Sequence, residues 1–76
     1  MTRYVLEVYA PESSSLADVE AHAALVCGDG VCYVRSLLLP EDETCFHVFE
    51  APSAAAIVEA SRRASVPFLR VTEAIG

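Results

Sequence analysis

Apolar positions recur every second residue at the start of the chain. Tyr4, Leu6 and Val8 alternate with Val5, Glu7 and Tyr9, the period of a strand, and Pro11 closes it. Glu12-Ser13-Ser14-Ser15 reads as a loop and helix cap. Ser15 with Asp18 three residues on makes a weak capping box. The period then changes. Leu16, Val19, Ala23 and Val26 share one side of a helix, which the pattern predicts from Leu16 to about Cys27, where Gly28-Asp29-Gly30 stops it. Val31 to Leu39 reads as a second strand, and Pro40 to Glu43 as a turn. Thr44 to Glu50 alternates again. Ser53 caps a second predicted helix, Ala54 to about Ala64, with Ile57 and Val58 inward and Arg62 and Arg63 near its negative end. Pro67 opens a last strand, Phe68 to about Ala74.

The predicted order is β-α-β-β-α-β. Two right-handed β-α-β halves joined by a hairpin give an α+β ferredoxin-like sandwich, a four-stranded antiparallel sheet with two helices on one face. The expected strand order is 4-1-3-2. The whole chain, residues 1–76, reads as a single domain. Its other sheet face is bare unless something docks on it.

Period two sorts the strand residues between those faces. With Leu6, Val8, Phe46, Val48, Leu69 and Val71 toward the helices, the bare face is predicted to carry Glu7, Tyr9, Cys45, His47, Phe49, Arg70 and Thr72. Strand two fits either phase. Arginine is rarely buried under helices, which favours Tyr33 and Arg35 outward. Cys45 and His47, two apart on one face, can then point at one small object, with Glu7 on the neighbouring strand within pairing reach. Such a carboxylate would raise the histidine pKa and fix its tautomer.

Composition narrows the partners. Hydrophobic residues make up 54% of 76 residues, and a chain this short buries only about 60% of its unfolded surface. Apolar surface is left over, and a second copy is the simplest cover, so a homodimer is expected. Eleven acidic residues against five basic give a net charge of −6 with no basic run. That argues against nucleic acid and anionic membrane surfaces. No apolar stretch reaches membrane-spanning length, and no signal-peptide pattern precedes the first strand, so a cytoplasmic location is expected. The three cysteines, Cys27, Cys32 and Cys45, fit neither a disulfide framework nor a zinc knuckle, and read as reduced thiols. Cys27 and Cys32 are expected to pack as small hydrophobes. His22, four residues after Asp18, reads as half of a solvated helix pair.

Two segments carry a resemblance. One runs through Val34-Arg35-Ser36-Leu37 and Pro40-Glu41-Asp42-Glu43-Thr44-Cys45-Phe46-His47-Val48-Phe49-Glu50-Ala51-Pro52-Ser53. The other joins Ala56-Ile57-Val58-Glu59 to Arg62-Arg63-Ala64-Ser65-Val66-Pro67. With Tyr4-Val5-Leu6-Glu7 they resemble the small nickel-responsive, nickel-binding ferredoxin-like family over nearly the whole chain. The resemblance implies the ferredoxin-like fold, a dimer and nickel as a possible metal. His47 stands where the family's strand-three cysteine would be, with Cys45 two residues earlier. Val8 replaces an arginine after Glu7, and Ala60 replaces a helix histidine that many members carry.

Three functions remain open. In the first, the chain binds a small ligand or metal; His47, Cys45 and Glu7 are the candidate metal ligands, since nickel favours imidazole completed by carboxylate, thiolate or water. In the second it is a cofactor-free enzyme of the isomerase, cyclase or monooxygenase kind. His47 moves a proton, Glu7 orients it, and Arg35 or Arg70 stabilises the anion, while Tyr9, Tyr33 and Phe49 give an apolar setting for an organic substrate. In the third the sheet face serves self-association alone.

Overall fold

The computed structural model describes residues 1–76. Its elements are β1 (Thr2–Tyr9), α1 (Leu16–Ala24), β2 (Cys32–Leu39), a short 3-10 turn (Pro40–Asp42), β3 (Thr44–Ala51), α2 (Ala54–Arg63) and β4 (Arg70–Ala74). The sheet order is β2-β3-β1-β4, and every neighbouring pair is antiparallel. The element order and strand order are those the sequence pattern predicts.

Local chemistry sets the ends of the helices. The Ser15 hydroxyl accepts from the Asp18 amide, and the Asp18 carboxylate accepts from the Ser15 amide, a complete capping box. Ser53 caps α2 by accepting from the Ala56 amide. α1 is shorter than its pattern predicts. It ends at Ala24 with Leu25 as C-cap, and a turn carries the chain to Gly28-Asp29-Gly30. All three of those residues have positive φ, and Gly28 pairs with Val31 in an isolated bridge.

The strand register decides which side chains lie under the helices. Residues directly opposite in an antiparallel pair share a face. His47 is opposite Leu6, and Cys45 is opposite Val8. Cys45, His47, Phe49 and Ala51 therefore lie on the helix side and are buried, beside Tyr4, Leu6 and Val8. Phe46 and Val48 lie half-buried on the open face, opposite Glu7 and Val5. The face predicted for β3 is thus inverted. Both of its faces are apolar at the centre, so period two alone has no preference there; pairing with β1 supplies it.

β2 contains a register irregularity. Tyr33 is opposite Phe49, but Arg35 is opposite Val48, leaving Val34 as an extra residue. Tyr33 therefore turns inward and Arg35 outward, although they are two apart. Leu69 also departs from expectation. It precedes β4, is 64% exposed, and its amide donates to the Glu7 carbonyl at 2.7 Å, while Val71 does pack on the core. Phe49, Leu6, Ile57 and Val26, all fully buried, form the centre of the core. Burying each contributes about 1.5–3 kcal/mol.

Candidate functional site

His47 is a polar residue inside this core. It sits on β3, a central strand, which fixes its backbone, and only 1% of it is exposed. Ser36 is directly opposite on β2. The Ser36 hydroxyl lies 2.6 Å from His47 Nδ1 and 2.5 Å from the Tyr33 hydroxyl. The Cys45 thiol lies 3.7 Å from the same Nδ1. The Tyr33 ring stands edge-on to His47, with centroids 6.3 Å apart, and Phe49 packs on both rings, 5.6 Å from Tyr33 and 6.3 Å from His47. One nitrogen of the imidazole is thus tied into a line of hydroxyls, and the ring is wedged between aromatics.

The rest of His47 borders a cleft of about 780 Å³. One wall is α1 with Asp18, Val19, His22 and Leu25; another is the end of β1, Val8 to Pro11; the third is Ala64 to Pro67, after α2. Nε2 has no protein hydrogen-bond partner. It is not sealed in either, because Ser61 Oγ is the one side-chain polar atom both enclosed and unpartnered. The cleft is of a size that suits a small organic molecule.

Electrostatics keep the imidazole neutral. Burial, reinforced by the neighbouring His22 imidazole, lowers the His47 pKa from 6.5 to about 4. Burial pushes the Cys45 thiol up, an effect partly offset by the nearby Ser36 hydroxyl. At neutral pH both groups are uncharged.

The residues singled out from the sequence divide into two sets. Cys45, His47, Phe49 and Tyr33 come together under the helices. Tyr9 borders the same cleft at the end of β1, 61% exposed, its hydroxyl donating to the Glu43 carboxylate at 3.3 Å. Glu7, Arg70 and Arg35 lie on the open face. The Glu7 carboxylate accepts from Arg70 Nε at 2.9 Å, and Arg35 is exposed. Glu7 is therefore not the partner of His47, because the thickness of the sheet separates their side chains. Cys27 and Cys32 are free thiols, but both are exposed, not packed as predicted. Cys32 pairs with Glu50 and so belongs to the open face, while Cys27 lies in the turn after α1.

Two residues of the site were not singled out in advance. Ser36 carries no ligand signal of its own, and only its place opposite His47 gives it a role. His22, read from the sequence as half of a solvated helix pair, borders the cleft. Its signal was available, since it lies three residues after Val19, on the apolar side of α1.

No three His, Cys, Asp or Glu side chains of the chain converge to hold a metal ion. No helix is long and apolar enough to cross a membrane. A family model described as nickel responsive protein SCO4226-like matches residues 4–74. No curated protein and no solved structure matches the chain.

Proposed function

This chain belongs to the nickel responsive protein SCO4226-like family, and we propose that within it the chain binds a small, mainly apolar organic ligand in the cleft beside His47. The observation that carries this reading is a buried, neutral imidazole with one nitrogen tied into the protein and the other unpartnered at the cleft. Such a group is a polar anchor in a mostly apolar lining, the pattern of small-molecule sites. Tyr9 and His22 flank the opening.

The donor set does not suit nickel held by one chain. His47 and Cys45 are close, but the thiol is biased toward its protonated form and Glu7 is on the other side of the sheet. Thiolate, the form that binds metal, is disfavoured there. Responsiveness to nickel is a property of the family by name.

The open sheet face supports a homodimer. Val5, Phe46, Val48 and Leu37 form an apolar centre, flanked by the ion pairs Arg3–Glu50 at 3.2 Å and Arg70–Glu7 at 2.9 Å. This face carries three of the five basic residues, Arg3, Arg35 and Arg70, in a chain of net charge −6. With Glu7 and Glu50 paired to two of them, this face adds little to the repulsion between two acidic copies. Sedimentation at micromolar concentration is expected to give about twice the monomer mass, and Phe46→Glu to give the monomer. A wild-type monomer would remove the dimer.

A second reading, proton transfer on a bound organic substrate without a cofactor, is favoured by the line Tyr33–Ser36–His47. It uses His47 as the base, oriented by Ser36 in place of Glu7.

The site is tested on untagged protein. With only two histidines, ring nitrogen NMR assigns His47 directly. Small aromatic ketones and carboxylic acids are screened as probes, with nickel chloride titrated in parallel. Probes that shift the His47 ring and lose at least about tenfold in affinity, roughly 1.4 kcal/mol, in His47→Ala support the cleft. Micromolar nickel binding lost in His47→Ala, with no organic probe reaching the ring, would replace this reading by a metal site.

A further inference from the structure

The line of hydroxyls ending at His47 Nδ1 has a polarity, and the polarity decides what the cleft can bind. Tyr33 and Ser36 each bring one hydroxyl proton, and a neutral imidazole brings one ring proton. Two arrangements satisfy the distances. In one, Tyr33 donates to Ser36, Ser36 donates to Nδ1, and the ring proton sits on Nε2. In the other, Nδ1–H donates to Ser36, Ser36 donates to Tyr33, and the Tyr33 proton has no acceptor, because Ser36 is the one protein partner of that hydroxyl.

Three considerations favour the first arrangement. It uses every hydroxyl proton inside the protein. A phenol is a stronger acid than an alcohol, so it donates better and accepts worse, and the series is strengthened when it starts at the better donor. The Cys45 thiol, 3.7 Å from Nδ1, is a weak donor that adds to a lone pair there.

We infer that Tyr33 and Ser36 hold His47 in the Nε2–H tautomer, so that the cleft offers a hydrogen-bond donor and selects ligands carrying a carbonyl or carboxylate oxygen. The selection rests on the cleft being the binding site proposed above; the tautomer does not. Ser36 and Tyr33 are positioning residues that act through the ring. An acceptor oxygen meets Nε2–H directly. A hydrocarbon of the same shape leaves that donor unpaired, and a cation at Nε2 would first require the proton to move.

Long-range proton–nitrogen NMR at neutral pH reads the tautomer in the unliganded protein. The wild type is expected to give a pyridine-type Nδ1 and a pyrrole-type Nε2. Ser36→Ala is expected to shift His47 toward a mixture of tautomers, and Ser36→Thr, which keeps the hydroxyl, to restore the wild-type pattern. The ligand class is tested with acetophenone and its hydrocarbon analogue α-methylstyrene. Acetophenone is expected to bind at least about fivefold more tightly, and Ser36→Ala to collapse that ratio where Ser36→Thr retains it. A pyridine-type Nε2 in the wild type overturns the inference whatever binds. Equal affinity for the two probes overturns the ligand selection. The expected tautomer with neither probe bound instead counts against the cleft as a ligand site, and takes the ligand class with it.

Discussion

The two faces of one sheet handle polarity in opposite ways. On the open face the charges come in pairs, Arg3 with Glu50 and Arg70 with Glu7, and all four side chains keep contact with water. On the helix-covered face one ionisable base, His47, is buried to within 1% and is kept neutral, its Nδ1 held by Ser36. Exposed pairs contribute little to stability because water already solvates their members. A buried imidazole has no such alternative, so its protonation state and hydrogen bonds are tied to folding. Chemistry that needs a fixed direction and a fixed charge state belongs on the second face.

The largest contrast is in packing. Phe49 is fully buried at the centre of the core, and Phe46 is half-buried on the open side of the same strand. Phe49→Ala is expected to cost about 3–5 kcal/mol. A chain of this length has roughly 4–11 kcal/mol in total, so the variant is expected to be close to unfolding at room temperature. Phe46→Ala is expected to cost less than half as much in the isolated monomer and to act mainly on self-association. Urea denaturation of both variants at low protein concentration measures this; equal losses would mean that the faces are covered alike.

The next effect is acid sensitivity. His47 has its folded-state pKa lowered from 6.5 to about 4. The unfolded chain therefore takes up a proton at a higher pH than the folded one. The stability tied to the neutral ring is fully present above pH 6.5 and is lost as pH falls toward about 4, a change on the order of 3 kcal/mol. Asp18 and His22 lie across the cleft, so the comparison that isolates His47 is wild type against His47→Gln. The variant is expected to show a much flatter profile between pH 6.5 and 4. An unchanged slope would mean that the ring gains protons freely in the fold.

Ser36→Ala comes third. It leaves the Tyr33 hydroxyl without a protein hydrogen-bond partner and Nδ1 with only the weak Cys45 thiol at 3.7 Å. Leaving such a group unsatisfied costs about 1–3 kcal/mol. Ser61 is the contrasting case. Its hydroxyl is enclosed without a partner, so Ser61→Ala removes an unpaired polar group and is expected to be neutral or slightly stabilising by thermal denaturation. Equal losses in the two serine variants would leave the His47 hydrogen bond with no special weight.

What the sequence made legible follows the strength of each local signal. The element order, strand order and both N-caps were readable because proline, glycine, serine and the change of period mark them. The face of β3 was not, since Phe46 and Val48 compete with Cys45 and Phe49 on hydrophobicity. A weaker signal was available at the ends. Thr44 and Glu50 share the phase of Phe46 and Val48, and polar ends mark the wetter face. Reading them would have turned His47 inward and separated it from Glu7. The irregularity at Val34 was beyond pattern reasoning, because one extra residue reverses the phase without any change of composition. The site followed from these two facts. His47 was singled out from the sequence, but Ser36 and Tyr33 become its neighbours only once both strands have their true faces.

The smallest expected effect tests the separation of the faces most directly. Glu7 and Arg70 pair at 2.9 Å with the arginine side chain 73% exposed, and such pairs contribute about 0–1 kcal/mol. Glu7→Gln is therefore expected to lower stability by less than about 1 kcal/mol, and the loss should shrink further in high salt. The same variant removes the carboxylate that the sequence pattern paired with His47. With Glu7 across the sheet, removing its charge is expected to leave the His47 titration, followed by ring NMR, within a few tenths of a pH unit. A clear drop in the His47 pKa in Glu7→Gln would mean that the carboxylate stabilises the imidazolium after all, and the open face would then have to be counted as part of the site.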